Sequence, residues 1–225
     1  MGCSNSFTYP CASDENPTHQ VTLTGAFYLG RYEVTQEQWL VEMGINPSFF
    51  KPPNAALDTN RPVEQVSWNN IQPFCTQNGL RLPTEAEWEY AYRAATTTAF
   101  HSMPAYPNGT SADSQLFIIA WYLENNGPFG SATYGTKAVG GKSANALGLH
   151  DMSGNVYEWC QDWYSSTYYA SSPATNPTGS ATGTNRLLRG GSWKYSAYDC
   201  RASARVDLTP DYGDNTIGFR VARTP

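Results

Sequence analysis

The chain has 225 residues, of which 40% are hydrophobic and only 15% are charged, and its net charge is −5. This acidic balance argues against a nucleic-acid-binding role, because the phosphate backbone requires a basic surface. No apolar stretch approaches the roughly 20 residues that a membrane-spanning helix needs. Seven tryptophans and fifteen tyrosines, together with many glycines and prolines, favour a fold that is held by large rings and turns.

Helix-start signals occur in the first half of the chain. Thr35 and Thr84 are each followed three residues later by a side chain that can bond back to the cap, and Ser67 can cap another helix. Gly44 and Gly79 stop the first two helices. The acidic residues after Thr84 are interpreted as favourable first-turn charges rather than as catalytic acids. These acidic residues are Glu85, Glu87 and Glu89.

Strand patterns lie near both ends of the chain. Residues 21–29 alternate and then become apolar, which predicts a central strand. Leu187 and Leu188 predict a second strand, and residues 217–222 alternate like a half-buried third strand. Most of residues 96–146 and 165–186 is predicted to be loop. Few helices, short strands and long loops indicate an irregular α+β fold.

The segment from Arg189 to Arg220 is rich in Tyr, Ser, Asp, Asn and Arg between its strand-like ends. Tyr supplies contact area at little cost in conformational entropy, and short polar side chains adapt their hydrogen bonds. The composition is typical of a binding surface. An active-site segment and an inert cover over the core remain open alternatives.

The five cysteines contain no CxxC pair, which argues against a structural zinc site. Cys3 and Cys11 are close enough in sequence to form a disulfide, although the sequence does not require one. Cys75 is interpreted as a small buried hydrophobic residue. The start of the chain matches a myristoylation pattern, which we interpret as an ordinary domain beginning.

Four motifs occur in order along the chain: residues 31–36 (RYEVTQ), 81–90 (RLPTEAEWEY), 154–159 (GNVYEW), and 189–193 (RGGSW) with 218–220 (GFR). Together they resemble the formylglycine-generating enzyme family, also called the sulfatase-modifying factor domain. The resemblance covers nearly the whole chain. It implies a variant of the C-type lectin fold and one domain over residues 1–225.

The resemblance also implies where catalysis would lie. Enzymes of this family oxidise a cysteine of a sulfatase peptide with copper held by two cysteines, since soft sulfur ligands hold Cu(I). Those two positions fall on Tyr195 and Cys200 here. A tyrosine cannot replace a thiolate, so we do not expect copper, and Cys200 is catalytic only if the chain is an enzyme. A copper-dependent oxidase, or a related oxidative biosynthetic enzyme, is the alternative function.

A calcium site is the second implication of the family. Carried over to this sequence, its ligands are the side chains of Asp151 and Glu158 and the carbonyl groups of Gly154 and Val156. Carboxylates mixed with carbonyls suit Ca²⁺. The alternative is that Asp151 and Glu158 only hold the turn by hydrogen bonds.

The C-terminal segment also resembles the variable segment of proteins diversified by retroelements, some of which carry this domain. In such proteins mutagenesis acts on codons that readily produce Tyr, Asn, Ser and Asp. The resemblance implies a non-catalytic protein that binds a protein or glycan ligand on another cell or particle. Its location is then a cell surface or a phage or virus particle. The predicted ligand-binding residues are Trp193, Tyr195, Ser196, Tyr198, Asp199, Ser203, Asp207, Asp211, Tyr212, Asp214 and Asn215.

Overall fold

A computed structural model describes residues 1–6, 8–51 and 60–225. Three α-helices lie within these ranges: α1 (Gln36–Met43), α2 (Trp68–Gln77) and α3 (Glu85–Arg93). Each helix begins after a predicted cap, whose side-chain oxygen accepts a hydrogen bond from the backbone N–H three residues later. The three predicted helix starts, at Thr35, Ser67 and Thr84, are confirmed.

The described residues also form short β-strands, which are connected by loops. They are β1 (Tyr28–Leu29), β2 (Ala120–Trp121), β3 (Ser153–Gly154), β4 (Tyr157–Trp163), β5 (Arg186–Arg189), β6 (Val206–Leu208), β7 (Ile217–Gly218) and β8 (Ala222–Arg223). This low content of regular structure confirms the α+β prediction. None of the helices in the described ranges is long and apolar enough to cross a membrane.

The largest sheet has the order β6-β5-β4-β7. Strand β5 runs antiparallel to β4 and β6, while β7 runs parallel to β4. Glu158 of β4 therefore has Arg189 of β5 on one side and Gly218 of β7 on the other. The two ends of the C-terminal segment flank the same strand, so the residues between them must leave the sheet and return to it.

Two strand predictions require correction. Residues 21–29 do not form a central strand: only β1 is regular, it pairs only with β8, and Tyr28 is 65% exposed. The backbone near Thr22 bonds instead to the loop around Ala174. Residues 217–220 are buried on both faces rather than half-buried, because Arg220 is enclosed with the Glu158 carboxylate.

Within residues 1–6, 8–51 and 60–225, the buried hydrophobic side chains form three clusters. The first joins α1, α2 and β7, where Trp39 stacks on Phe74 and both meet Phe219 edge-on. The second surrounds Phe100 and includes Cys200. The third packs α3 against β4 and β5 around Trp88. The predicted burial of Cys75 is confirmed.

The acidic residues of α3 do not all act as the first-turn charges that the sequence predicted. Glu87 completes the cap and pairs with Arg81, as a first-turn acid can. Glu85 and Glu89 are each 1% exposed and form buried ion pairs with arginines of the C-terminal segment. Their main role is structural, but it is charge pairing across the core rather than interaction with the helix dipole.

Candidate ligand-binding surface

Buried arginines anchor the C-terminal segment along its whole length. Each side chain meets a buried or nearly buried glutamate at 2.6–2.7 Å: Arg189–Glu89, Arg201–Glu15, Arg205–Glu85 and Arg220–Glu158. Such pairs hold the backbone in one position, because separating a buried charge from its partner costs about 3–5 kcal/mol.

The N-terminal residues contribute to this anchoring. Cys3 and Cys11 form a disulfide, which resolves the alternative left open by the sequence. Both carboxylate oxygens of Glu15 accept hydrogen bonds from Arg201. Burial works against the charge of Glu15, but bonds from Arg201 and Ser203 hold its pKa below the ordinary value.

Two glycines let the segment leave β5. Gly190 and Gly191 have φ values of +95° and +74°, which favour glycine. A Cβ atom on Gly191 would lie 2.6 Å from Cys200 Sγ. The glycines therefore allow the segment to turn and pack directly against its own middle part.

The exposed part of the segment forms a tyrosine–aspartate surface, defined by Tyr195, Asp199, Tyr212 and Asp214, which rests on the buried Tyr157 of β4. The Tyr157 and Tyr195 rings meet edge-on at 5.3 Å. The Tyr157 hydroxyl donates to Asp199 Oδ1 at 2.8 Å, and the Tyr212 hydroxyl donates to Asp214 Oδ2 at 3.3 Å. Tyr195 is 39% exposed and Tyr212 is 44% exposed, so both rings are open to a partner.

The carboxylates place negative charge beside these phenol rings. Burial, followed by the charges of Asp214 and Asp199, raises the pKa of Tyr195. The Asp214 charge is the main cause that raises the pKa of Tyr212. Rings next to carboxylates favour hydrogen-bond donors and cations.

The other predicted ligand-binding residues fall into two groups. Ser196, Asp211 and Asn215 are partly or fully exposed, like the surface just defined. Trp193 and Ser203 are 1% and 0% exposed, so they cannot contact a partner directly. Trp193 Nε1 donates to the Asn215 carbonyl, and Ser203 bonds to Glu15. These two residues position the segment.

Tyr198 and Asp207 lie between these extremes, and both are half-buried. The Tyr198 ring meets Tyr9 edge-on at 5.7 Å, with the Arg201 guanidinium 4.4 Å from its centroid. Asp207 accepts a hydrogen bond from Asn185 at 2.6 Å. Each has a structural partner in addition to its exposed area.

Aromatic residues from other parts of the chain pack against Trp193 of the segment. An aromatic ridge, formed by Phe49, Phe50, Phe129, Tyr134 and Trp193, lies beside the tyrosine–aspartate surface. Phe50 and Tyr134 meet Trp193 edge-on at 5.1 and 4.9 Å. The sequence indicated neither the ridge nor Tyr157, because these residues meet only in the tertiary structure. Their only local signal was an aromatic residue in a loop or strand.

The two family copper positions differ in environment. Tyr195 is at the surface, while Cys200 is fully buried in the second hydrophobic cluster. Burial raises the pKa of the Cys200 thiol well above its ordinary value, whereas metal binding requires the thiolate. The described free cysteines, Cys75, Cys160 and Cys200, are all buried. These residues do not fit a Cu(I) site.

The predicted calcium ligands have protein partners. Both Glu158 oxygens accept bonds from Arg220, and Oε2 also accepts from Trp88. Asp151 Oδ2 accepts from the Gly140 N–H, while Oδ1 is buried and has no hydrogen-bond partner in the part of the chain that the structure describes. Within the described ranges, no three His, Cys, Asp or Glu residues are grouped to hold a metal. Glu158 thus accepts three hydrogen bonds and balances the Arg220 charge, which favours the alternative that it holds the turn by hydrogen bonds.

The Gly154–Asn155 motif has a structural explanation. Both residues have positive φ, and a Cβ on Gly154 would lie 2.2 Å from the Trp121 carbonyl oxygen. The Asn155 side chain donates to Glu33 and accepts from the Lys137 N–H. Burial, followed by the charges of Asp151 and Glu158, raises the pKa of Glu33 well above its ordinary value. The motif therefore ties three chain segments together.

These features define a protein domain of short helices, short strands and long loops that presents a tyrosine- and aspartate-rich surface near its C-terminus. Residues 2–225 match the model of the sulfatase-modifying factor enzyme 1-like domain, and the chain belongs to that family. It is 38% identical over 170 residues to the formylglycine-generating enzyme of Streptomyces coelicolor, across 72% of this chain and 52% of that enzyme.

Solved structures confirm the fold prediction. Treponema denticola variable protein 1 has a TM-score of 0.80 and 31% identity, across 100% of this chain and 92% of that protein. The Major Tropism Determinant U1 variant has a TM-score of 0.50 and 14% identity, across 89% of this chain and 51% of that protein, which shows the fold alone. The chain spans about half the length of the formylglycine-generating enzymes it matches. Because one fold hosts many functions, activity must be argued from the site.

Proposed function

We propose that this chain is a non-catalytic binding domain that presents the exposed part of residues 189–220 to a protein or glycan ligand on another cell or particle. The observation that carries the proposal is the contrast within the segment. Tyr195 and Tyr212 face outward, while arginines on either side of them are enclosed in ion pairs. A rigid backbone that carries accessible tyrosines loses little entropy on binding.

The same contrast favours a surface whose side chains change during evolution. Substitution at Tyr195 or Tyr212 leaves the buried pairs intact, so the fold tolerates variety there. Similarity to a protein named as a variable protein supports this hypothesis. The test is the gene locus, where a near-identical repeat of the 3′ end beside a reverse transcriptase gene is expected. A locus without either feature contradicts retroelement diversification and leaves the binding role intact.

The oxidase alternative receives support from the family alone. Against it stand a surface tyrosine at one copper position and a buried thiol at the other. Two thiolates are required for a tight Cu(I) site. Titration with Cu(I), compared with the Cys200→Ser variant, is expected to show no stoichiometric complex. A Cys200-dependent complex, together with oxidation of a cysteine-containing peptide, would restore the enzyme hypothesis.

The binding role is tested with defined probes. A random peptide library displayed on phage and an array of glycans are each exposed to the domain and to the Tyr195→Ala/Tyr212→Ala variant. We expect saturable binding of a restricted set of peptides or glycans that weakens about tenfold or more in the variant, because buried aromatic residues dominate interfaces. A matched control is Tyr28→Ala, which removes a 65% exposed ring far along the chain. Failure of both probe sets to bind the native domain contradicts the proposal.

A further inference from the structure

The aromatic ridge exposes apolar area that a monomeric domain has no internal reason to present. Phe49 is 62% exposed and Phe129 is 88% exposed. They extend outward from the inner rings: Phe49 meets Phe50 at 5.0 Å, and Phe129 meets Tyr134 at 5.2 Å. Two exposed rings that are joined through the half-buried Phe50 and Tyr134 indicate an interaction site more strongly than a single exposed ring does.

Hydrogen bonds to Glu64 hold the loop that carries Phe50. The Phe50 backbone N–H donates to Glu64 Oε1 at 2.7 Å, and the Ser48 hydroxyl bonds to the backbone of Glu64. A Cβ on Gly135 would lie 2.3 Å from the Phe50 ring, so this ring packs directly onto a neighbouring backbone. The outer rings are therefore presented on a preformed support, which reduces the entropy lost on binding.

Negative charge lies along one side of the ridge. Trp193 Nε1 donates to the carbonyl of Asn215, which connects the ridge to the tyrosine–aspartate surface next to Asp214. The exposed Lys194 is a positive charge beside Tyr195 in the chain. At the tyrosine–aspartate surface itself the carboxylates of Asp199 and Asp214 outnumber Lys194, whereas Lys51 and Lys137 place positive charge beside the Phe50 end of the ridge.

We propose that the ridge and the tyrosine–aspartate surface together bind one kind of partner: a protein segment in which a lysine or arginine lies next to a large apolar side chain. The apolar side chain covers Phe49 and Phe129. The cation lies between Tyr195, Tyr212 and the carboxylates of Asp199 and Asp214, where aromatic faces and negative charge act together. The inference rests on the proposed binding role and narrows it to a protein ligand.

The outer rings favour a protein over a glycan. Phe49 and Phe129 carry no hydroxyl, so they offer nothing to the hydroxyl groups of a sugar. The Trp193 indole is 1% exposed and cannot stack on a sugar ring. An apolar side chain gains the full benefit of covering these phenylalanines.

The test uses the peptide library displayed on phage and synthetic copies of its enriched sequences. We expect enriched peptides to place Lys or Arg within a few positions of an aromatic or long aliphatic residue. Phe49→Ser/Phe129→Ser is expected to weaken their binding about tenfold or more. Asp199→Asn/Asp214→Asn, which keeps one oxygen acceptor at each position, is expected to weaken binding about tenfold and to reduce its salt dependence.

Matched controls separate these effects from loss of structure. Phe117→Ser removes a 51% exposed phenylalanine from outside the ridge, and Glu42→Gln removes an exposed acid from α1; both should bind peptides as the native domain does. Peptides enriched without basic residues, peptides unaffected by Phe49→Ser/Phe129→Ser, or binding of glycans alone each overturn this inference and leave the binding role standing. Absence of any bound peptide or glycan instead contradicts the binding role itself.

Discussion

The C-terminal segment contains two kinds of residue that the sequence mixes but the fold separates. Arg189, Arg201 and Arg220 are fully buried and bonded to glutamates from distant parts of the chain. Tyr195 and Tyr212, which lie between them in sequence, are open to solvent. A polar segment can thus be both a rigid part of the core and a free surface, because alternate parts of it enter and leave the interior.

The largest loss of stability is expected when one of the buried arginine–glutamate pairs is removed. Arg220→Met leaves Glu158 as an uncompensated buried carboxylate, since both of its oxygens bond to Arg220. We expect a loss of about 3–5 kcal/mol in the free energy of unfolding, measured by urea denaturation with tryptophan fluorescence. The control Arg81→Met removes the more exposed pair with Glu87 and should cost about 1 kcal/mol or less. Equal losses in both variants would contradict the importance of burial.

The stability of the domain is expected to depend on pH through Glu64, which holds the loop that carries Phe50. Burial is the main cause that raises the pKa of Glu64 from 4.5 to about 7. In the folded state the carboxyl keeps its proton where the unfolded chain has lost it, so its contribution to stability is present below pH 4.5 and is lost as the pH rises to about 7. The decrease amounts to about 3 kcal/mol.

Glu64→Gln isolates this pH effect. The amide retains an oxygen for the Phe50 N–H but carries no charge, so the variant should lack the decrease in unfolding free energy between pH 4.5 and 7. Glu42→Gln, on the exposed face of α1, should keep it. A native-like decrease in the Glu64→Gln variant would mean that other groups cause it.

The exposed side should tolerate substitution. Tyr195→Ser and Tyr212→Ser are each expected to change the free energy of unfolding by about 0.5 kcal/mol or less, because surface substitutions away from special features do so. Tyr92→Phe is the contrasting control, since its buried hydroxyl bonds to Ser153 and to the Cys200 carbonyl; its loss should cost about 1–2 kcal/mol. Losses at Tyr195 or Tyr212 as large as that at Tyr92 would place them in the scaffold.

Calcium provides the smallest expected effect. Because Arg220 and Trp88 occupy the Glu158 oxygens, millimolar calcium should leave Tm unchanged. A ligand present at 100 times its Kd would add about 2.7 kcal/mol to the free energy of unfolding. A rise in Tm that calcium produces and Asp151→Asn abolishes would instead support the predicted site at Asp151, Gly154, Val156 and Glu158.

Local signals predicted local structure well. The predicted helix caps at Thr35 and Thr84 are confirmed, because a capping box depends only on four adjacent residues. The predicted central strand at residues 21–29 is wrong, because an alternating pattern forms a strand only when a partner strand is available, and the sequence does not specify that partner. For the same reason Glu89 was predicted to interact with a helix dipole, although it pairs with Arg189, which lies 100 residues away in the chain.

The sequence by itself determined the family and the α+β class, because ordered motifs and composition are properties of the chain, and its composition singled out the segment for which we propose a binding role. The tertiary structure alone decided which residues of that segment face outward. It buried Trp193 and Ser203, exposed Tyr195 and Tyr212, and linked Phe49 and Phe129 to Trp193 through Phe50 and Tyr134. Exposure depends on long-range packing and charge pairing, and composition cannot express either one.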